Sequence, residues 1–359
     1  MRLDTLLTEA WRNTISGAAR AVPIWVALVF ITFPLLVAEG AATRAAIDEA
    51  IAYRLSGAAI TTFRAADAID GPTCDVLGST SGVTSAGALR AVDAAVSPLA
   101  LPGSTIPTFE TTPAFPALLS AANTDGRAGG AFVSRAVADR LGVSAGEDLP
   151  LASGERLAVA GIYDWPDDGR RPGLGFAVVI PTIGREPFDE CWATTWPESE
   201  QLAALLRSSA IPDRIDPASP PVLSAVNDTL GSEFRGDERF PARVTRLAPL
   251  AALLAAAVTL AVAVHSRRYE LAHARHLGVR RADLLAIVLA ELAFVLVAVA
   301  LPSILAAAFL AHGPAPDRAA VFDAAIRVLA GTAVGAFTGG AGAALTTRAS
   351  ALASAHSAR

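Results

Sequence analysis

The fold class this sequence predicts is an α+β membrane protein: four transmembrane helices with a mixed α/β extracytoplasmic domain between the first and second. Three observations predict it. Hydrophobic residues make up 53% of the 359 positions and charged residues 18%. That is more apolar surface than a soluble chain can hide, so lipid must cover part of it. Four apolar runs are long enough to cross a hydrocarbon core of about 30 Å, which takes roughly 20 helical residues. Between the first two runs, residues 41–246 carry strand-like alternation, short helical patterns and Pro- and Gly-rich turns.

Composition also excludes chemistry. Every one of the 29 basic residues is Arg, a bias that GC-rich coding with Ala and Arg drift explains. A phosphate-cradling P-loop requires Lys, so this chain is not itself a standard P-loop ATPase. Schiff-base and Ser–Lys chemistry fall for the same reason. The net charge of −5, with no basic patch interleaved with aromatics, argues against a nucleic-acid partner.

Residues 1–20 precede the first span. Leu3, Leu6, Leu7, Trp11 and Ile15 lie near helical spacing, and Arg2, Arg12 and Arg20 are basic, the pattern of an amphipathic helix lying at a membrane surface. The first span is 21–40. Its small residues at Ala38-Glu39-Gly40 also fit a signal-peptide cleavage site, but the run is longer than a usual signal core and a retained anchor fits it better. The second span is 247–264, the third 284–311 with Glu291 and Pro302 inside it, and the fourth 324–345, with Arg327 near its start.

Arg placement in the short loops orients these spans. The connector 265–283 holds Arg267, Arg268, Arg275, Arg280 and Arg281, whereas the loop 312–323 holds only Arg318. The connector, the N-terminus and the tail 346–359 are therefore expected in the cytoplasm of a plasma-membrane protein, and the domain 41–246 outside. Arg235, Arg239, Arg243 and Arg246 run against this scheme just before the second span, and their spacing fits an exposed stalk helix.

Within the outer domain, residues 41–66 are expected to continue the first helix outward, and 227–246 to form a second stalk. The stretch 131–166 reads as a short strand, an amphipathic helix ending at Gly142, and a strand pair closed by a turn at Ser153-Gly154. A further strand is expected at 175–183, and the sheet is expected to be small. Both cysteines, Cys74 and Cys191, lie in this domain, where an oxidising compartment favours a disulfide over two buried thiols. Closing a loop of about 100 residues is worth roughly 4–5 kcal/mol on the chain-entropy account. Phe188, Trp192 and Trp196 read as packing around that bridge, with a ligand or partner surface as the other reading.

No His lies between residues 41 and 246. A Ser-His-Asp triad, a Cys-His pair and a His-liganded zinc are all excluded there, which leaves only carboxylates. Asp164, Asp167 and Asp168 read first as a solvated turn, because Pro166, Gly169 and Gly173 punctuate them and Arg170 and Arg171 balance them. An ion site or an acid/base pair are the alternatives. No catalytic residue, cofactor or metal site is expected in the chain.

Two features lie within the spans. Glu291 is an intramembrane carboxylate, either a proton or substrate site or a group hydrogen-bonded to a neighbouring helix near the cytoplasmic interface. The second reading is favoured, since no other carboxylate lies at similar depth. Gly331, Gly335 and Gly339 repeat every four residues and mark one face of the last helix for close packing. Their partner is another span of this chain or a second subunit.

The connector itself reads RRYELAHARHLGVRRADLLAIVLAE over 267–291. Arg267, Arg268, Glu270, Arg275, Leu277, Gly278, Arg281 and Glu291 fill a pattern that resembles the FtsX-like and MacB-like (type VII, mechanotransmission) ABC transporter permeases. The outer LGVSAGEDLPL and LAVAGIY resemble that family's strand-turn elements. The resemblance implies the same plan of one span, an outer domain and three spans. It also implies a separate cytoplasmic ATPase that binds the ATP, a second permease copy or paralogue as partner, and residues 267–281 as the coupling surface. Other readings of the chain are a stand-alone membrane-anchored binding or sensor protein, or a membrane enzyme using the outer carboxylates.

Overall fold

A computed structural model describes residues 3–101, 103–119, 130–184, 186–197, 199–231 and 233–346. Arg2 and residues 347–359 of the expected tail lie outside the described residues. In chain order the helices and strands are α1 (Leu3–Ile15), α2 (Ala21–Leu55), β1 (Ile60–Ile69), α3 (Gly71–Leu77), β2 (Val83–Val96) and β3 (Ile106–Thr111). Then come β4 (Ala131–Ser134), α4 (Arg135–Leu141), β5 (Asp148–Pro150), β6 (Arg156–Tyr163), β7 (Val178–Pro181) and β8 (Phe188–Thr195). The chain continues through α5 (Leu202–Arg207), β9 (Val222–Ala225), α6 (Gly236–Ala242), α7 (Ala248–Ser266), α8 (Arg268–His276), α9 (Arg281–Leu310) and α10 (Ala315–Thr346). They form two compact units, one of residues 50–235 and one of residues 1–49 with 236–359.

The helical unit contains four helices long and apolar enough to cross a membrane, α2, α9, α10 and the segment Val244–Ser266 that includes α7. Leu28 of α2, Ala256 and Leu260 of α7, Val295 of α9 and Ala336 of α10 share one core, and Leu271 of α8 joins it. Because lipid is as apolar as these side chains, packing rather than hydrophobicity selects the arrangement. α7 and α10 meet backbone to backbone. A Cβ built on Gly331, Gly335 or Gly339 would lie closer than 3.0 Å to the carbonyl oxygen of Pro249, Leu253 or Ala257 respectively. The glycine repeat therefore serves α7 of the same chain. A buried hydrogen bond 3.0 Å long between the hydroxyls of Thr32 and Thr332 joins α2 to α10.

The stalk expectations need correction. α2 ends at Leu55, and residues 60–66 belong to β1; Thr61, Phe63 and their neighbours are β-formers that pair with two strands. No long helix fills 227–246. The helix there, α6, is one of seven residues and contains Pro241, a helix breaker, with a short 3-10 turn after it. The helix that carries the expected fourth span already begins at Ala315, so only residues 311–314 separate α9 from α10. Two of the four Arg residues before the second span find carboxylates on α2. Arg243 meets Glu39, which is buried, at 2.5 Å, and Arg239 meets Glu49 at 2.9 Å.

The other unit is built on a nine-stranded mixed sheet in the order β5-β6-β4-β7-β3-β2-β8-β1-β9, larger than the small sheet expected. β8 runs antiparallel between β1 and β2, placing Cys191 opposite Phe63 on one side and Ala88 on the other. Alternation then sorts the side chains. Cys191 and Ala193 face the layer of α3 and α5, with Phe188, Leu202 and Leu206, while Trp192 faces the opposite core with Phe115, Leu118 and Tyr163. Cys74 on α3 is disulfide-bonded to Cys191 across 117 residues. Of the three expected flanking aromatics, Phe188 packs beside the bridge. Trp192 lies on the other face, and Trp196 stacks against Tyr53 and Phe234. The stretch 131–166 forms as expected. Ser134 caps α4 through its hydroxyl, Gly142 ends it in the left-handed conformation, and β5 pairs antiparallel with β6.

Non-reducing mass spectrometry is expected to recover the Cys74–Cys191 peptide pair. Replacing both cysteines by Ser should cost roughly 4–5 kcal/mol, because a loop of this length leaves the unfolded chain far more freedom. Two alkylatable thiols in protein recovered from membranes would contradict the bridge.

Candidate functional site

The connector is positioned by the ends of two spans. α7 stops at Ser266, Arg267 leaves helical geometry with φ −97° and ψ 11°, and α8 starts at Arg268. α8 ends at His276, and Gly278 turns the chain with φ +93°, a conformation that costs Gly little and a side chain much. Arg280 precedes α9, which runs on from Arg281. The apolar side of α8 faces inward, with Leu271 and Ala272 buried.

Behind the connector is a polar node. Glu291 is only 5% exposed. One of its oxygens accepts from Arg267 Nη1 at 2.8 Å, and the other accepts from Asn13 Nδ2 of α1, also at 2.8 Å. Arg267 also reaches Glu270 through Nε at 3.2 Å. The carboxylate is thus hydrogen-bonded on both oxygens by groups from two other segments. The same turn of α1 contributes further: Trp11 packs edge to face on Phe294 of α9, with ring centres 5.4 Å apart. α1 is therefore held on α9 by a polar and an aromatic contact, while Leu7 and Ile15 stay exposed.

The expected coupling residues divide by environment. Arg267 faces inward to Glu291. Arg268 Nη1 donates to His265 Nε2 at 2.7 Å. Glu270 is exposed and answers Arg267. Arg275 is half-buried beside Leu271 and Leu284. Leu277 is 74% exposed at the tip of the turn, and Arg280 and Arg281 are exposed beyond it. A large exposed apolar side chain thus stands at the turn, flanked by guanidinium groups and next to a short helix braced from behind.

In the sheet unit, the Asp164–Asp168 turn is a structural clamp. Asp164 is paired with Arg135, and hydrogen bonding to that guanidinium holds its carboxyl below the usual range. It is ionised at neutral pH and poorly suited to act as a general acid. Asp168 pairs with Arg170 at 3.1 Å. The Arg170 guanidinium also bonds the carbonyl of Leu55 at the end of α2 and lies over Trp165, 5.3 Å from the ring centre. Asn227, fully buried, donates from Nδ2 to the carbonyls of Ser56 and Asp168, each at 3.1 Å. One turn and one amide thus hold together the points where the chain enters and leaves the sheet unit. Among the described residues no group of three or more His, Cys, Asp or Glu is placed to hold a metal ion.

Sequence patterns did not single out Asn13, Thr32, Thr332 or Asn227. Each is a lone polar residue whose role depends on a partner distant in the chain, and Asn227 fell at the start of an expected stalk helix.

No protein-family model and no curated protein matches this chain. Among solved structures, the crystal structure of the periplasmic region of MacB from Actinobacillus actinomycetemcomitans is similar at 9% identity. It covers 54% of this chain and 97% of that one, with a TM-score of 0.36. A likeness that remote carries no functional conclusion.

Proposed function

We propose that this chain is the transmembrane permease subunit of an ABC transporter complex, coupling ATP hydrolysis by a separate cytoplasmic ATPase to movement of its outer domain. Export or transenvelope signalling is the task. The reading is supported above all by α8, a short basic helix tipped by exposed Leu277 and braced by the Arg267–Glu291 pair. Its apolar side is committed to the spans, and its tip is left for a partner. The Arg bias of the connector orients it to the cytoplasm, which places both termini there and the sheet unit outside. The chain lacks the Lys of a P-loop, so ATP would be bound by the partner. A second permease subunit, a copy or a paralogue, completes the complex in this reading. No enzymatic activity and no cofactor are assigned to the chain itself.

The test is affinity purification of the full chain from native membranes in mild detergent, beside a variant carrying Arg275→Glu and Leu277→Glu. An ATP-binding subunit is expected with the native chain and should be lost, by tenfold or more, from the variant. Charge reversal at a docking rim combined with removal of an apolar anchor typically costs at least about 2 kcal/mol. Recovery of no ATPase with either protein would overturn the permease reading in favour of a membrane-anchored sensor.

A further inference from the structure

Along the connector halves of α7 and α10 runs an open groove of about 860 Å³, within the range of small-molecule sites, roughly 300–1,000 Å³. Its length is apolar and shallow-sided. Val258 and Val262, both well exposed, form one wall, and Gly342 with small neighbours forms the other. Its connector end is polar, lined by His265, Ser266 and Thr346. Two guanidinium groups stand at that end. Arg268 Nη1 donates to His265 Nε2, and Arg20 Nη1 donates to Ser266 Oγ at 3.2 Å. Among the described residues, neither meets a carboxylate. The groove is apolar along its length and cationic at one end.

We propose that the groove is a binding site for an anionic glycerophospholipid, one acyl chain lying between α7 and α10 and the phosphodiester resting on Arg20 and Arg268. The complementarity is of charge as well as of apolar surface. A second copy of the chain fits less well. Two copies related by an axis along the membrane normal bring their connector ends together. At this groove each of those ends presents Arg20 and Arg268, neither of which meets a carboxylate among the described residues, so pairing two copies along the groove itself would repel where the lipid attracts. The inference rests on the membrane placement of these helices and is independent of the ATPase.

The experiment is native mass spectrometry of the purified full chain in mild detergent, with no ATPase present, titrated with dioleoylphosphatidylglycerol or dioleoylphosphatidylcholine. The expected result is preferential retention of the anionic lipid. Arg20→Gln and Arg268→Gln should each weaken it about fivefold and the double variant roughly thirtyfold, from the usual contribution of an Arg near an anionic headgroup. Arg20 is exposed and Arg268 only partly buried, so neither variant opens a cavity in the core. Gly342→Leu should lose both lipids. A Cβ at Gly342 meets nothing within 4 Å, so Leu fills the groove without disturbing α10. Equal retention of the two lipids, or no effect of the Arg variants, overturns the proposal. So does a Gly342→Leu variant that loses a dimer while keeping its lipid, which would make the groove an interface between copies. Competition by glycerol 3-phosphate as strong as by intact lipid would likewise overturn it, reducing the site to one for a free phosphate ester. Failure to recover an ATPase in the purification test leaves each of these outcomes unaffected.

Discussion

Gly335→Ala, the smallest possible change, is expected to destabilise the helical unit by about 3 kcal/mol or more. Gly335 is buried in α10, and an added Cβ would occupy the space of the Leu253 carbonyl oxygen on α7. Its surroundings there are backbone, which has no rotamer to change, so the two helices must separate along their whole contact. Overpacking ordinarily costs 1–3 kcal/mol, occasionally more, and a clash with a rigid main chain belongs at the upper end. Gly331 and Gly339 face Pro249 and Ala257 in the same manner, so Ala at either should behave alike. Gly342→Leu, on the same helix but beside open space, should melt close to the native chain. Thermal unfolding in mild detergent, followed by loss of the monodisperse species, separates these cases. If Gly335→Ala melts with the native protein, the backbone contact between α7 and α10 is refuted.

Removing Arg267 alone is expected to cost about 3–5 kcal/mol, the usual consequence of leaving a buried carboxylate without its cation. Glu291 would keep only the amide of Asn13. Arg267→Met therefore leaves a charge that must be neutralised or hydrated at the membrane edge. Glu291→Gln should be milder, since its amide retains a carbonyl oxygen for Asn13 while Arg267 still has Glu270. In the double variant Arg267→Met with Glu291→Leu, apolar groups replace both charges, and most of the stability should return. A double-mutant cycle is the clean measurement, because residues in contact show coupling of 0.5–3 kcal/mol beyond additivity. Additive losses would mean that the two side chains do not pair. The same node bears on the proposed function. α1, the connector and α9 converge on one carboxylate, so displacement of α8 by a bound partner would be felt at Asn13.

Much of this architecture was legible before any coordinates. Apolar runs of membrane length cannot be hidden by context, since only helices or closed barrels satisfy the backbone in lipid; α2, α7, α9 and α10 followed from them. The segment 131–166 was equally plain, because Ser134, Gly142 and the alternation of 156–162 are each local signals. The first half of the sheet unit was not. β2 reads VTSAGALRAVDAAV, a composition that favours helix by propensity. Ala86 and Ala88 lie there because the layer carrying Cys74 packs closely on the strand, and a Cβ on Gly87 would strike the backbone of Phe115. Small residues chosen for close approach erase the β-branched signature of a strand. The same bias made residues 56–66 resemble a continuing helix.

The sequence by itself determined what is local or compositional: four spans, the basic connector with its break at Gly278, the absence of Lys and of outer His, and a glycine-marked face on the last helix. Only the tertiary structure decided what each of these meets. It joined the glycines to α7 of the same chain, gave Glu291 its Arg267 and Asn13, and turned an acidic loop into a clamp around Asn227. The division has a physical cause. Burial and helix formation depend on a side chain and its neighbours along the chain. A backbone contact or a buried polar bond depends on distances that exist only once separate segments, as much as 300 residues apart, have packed.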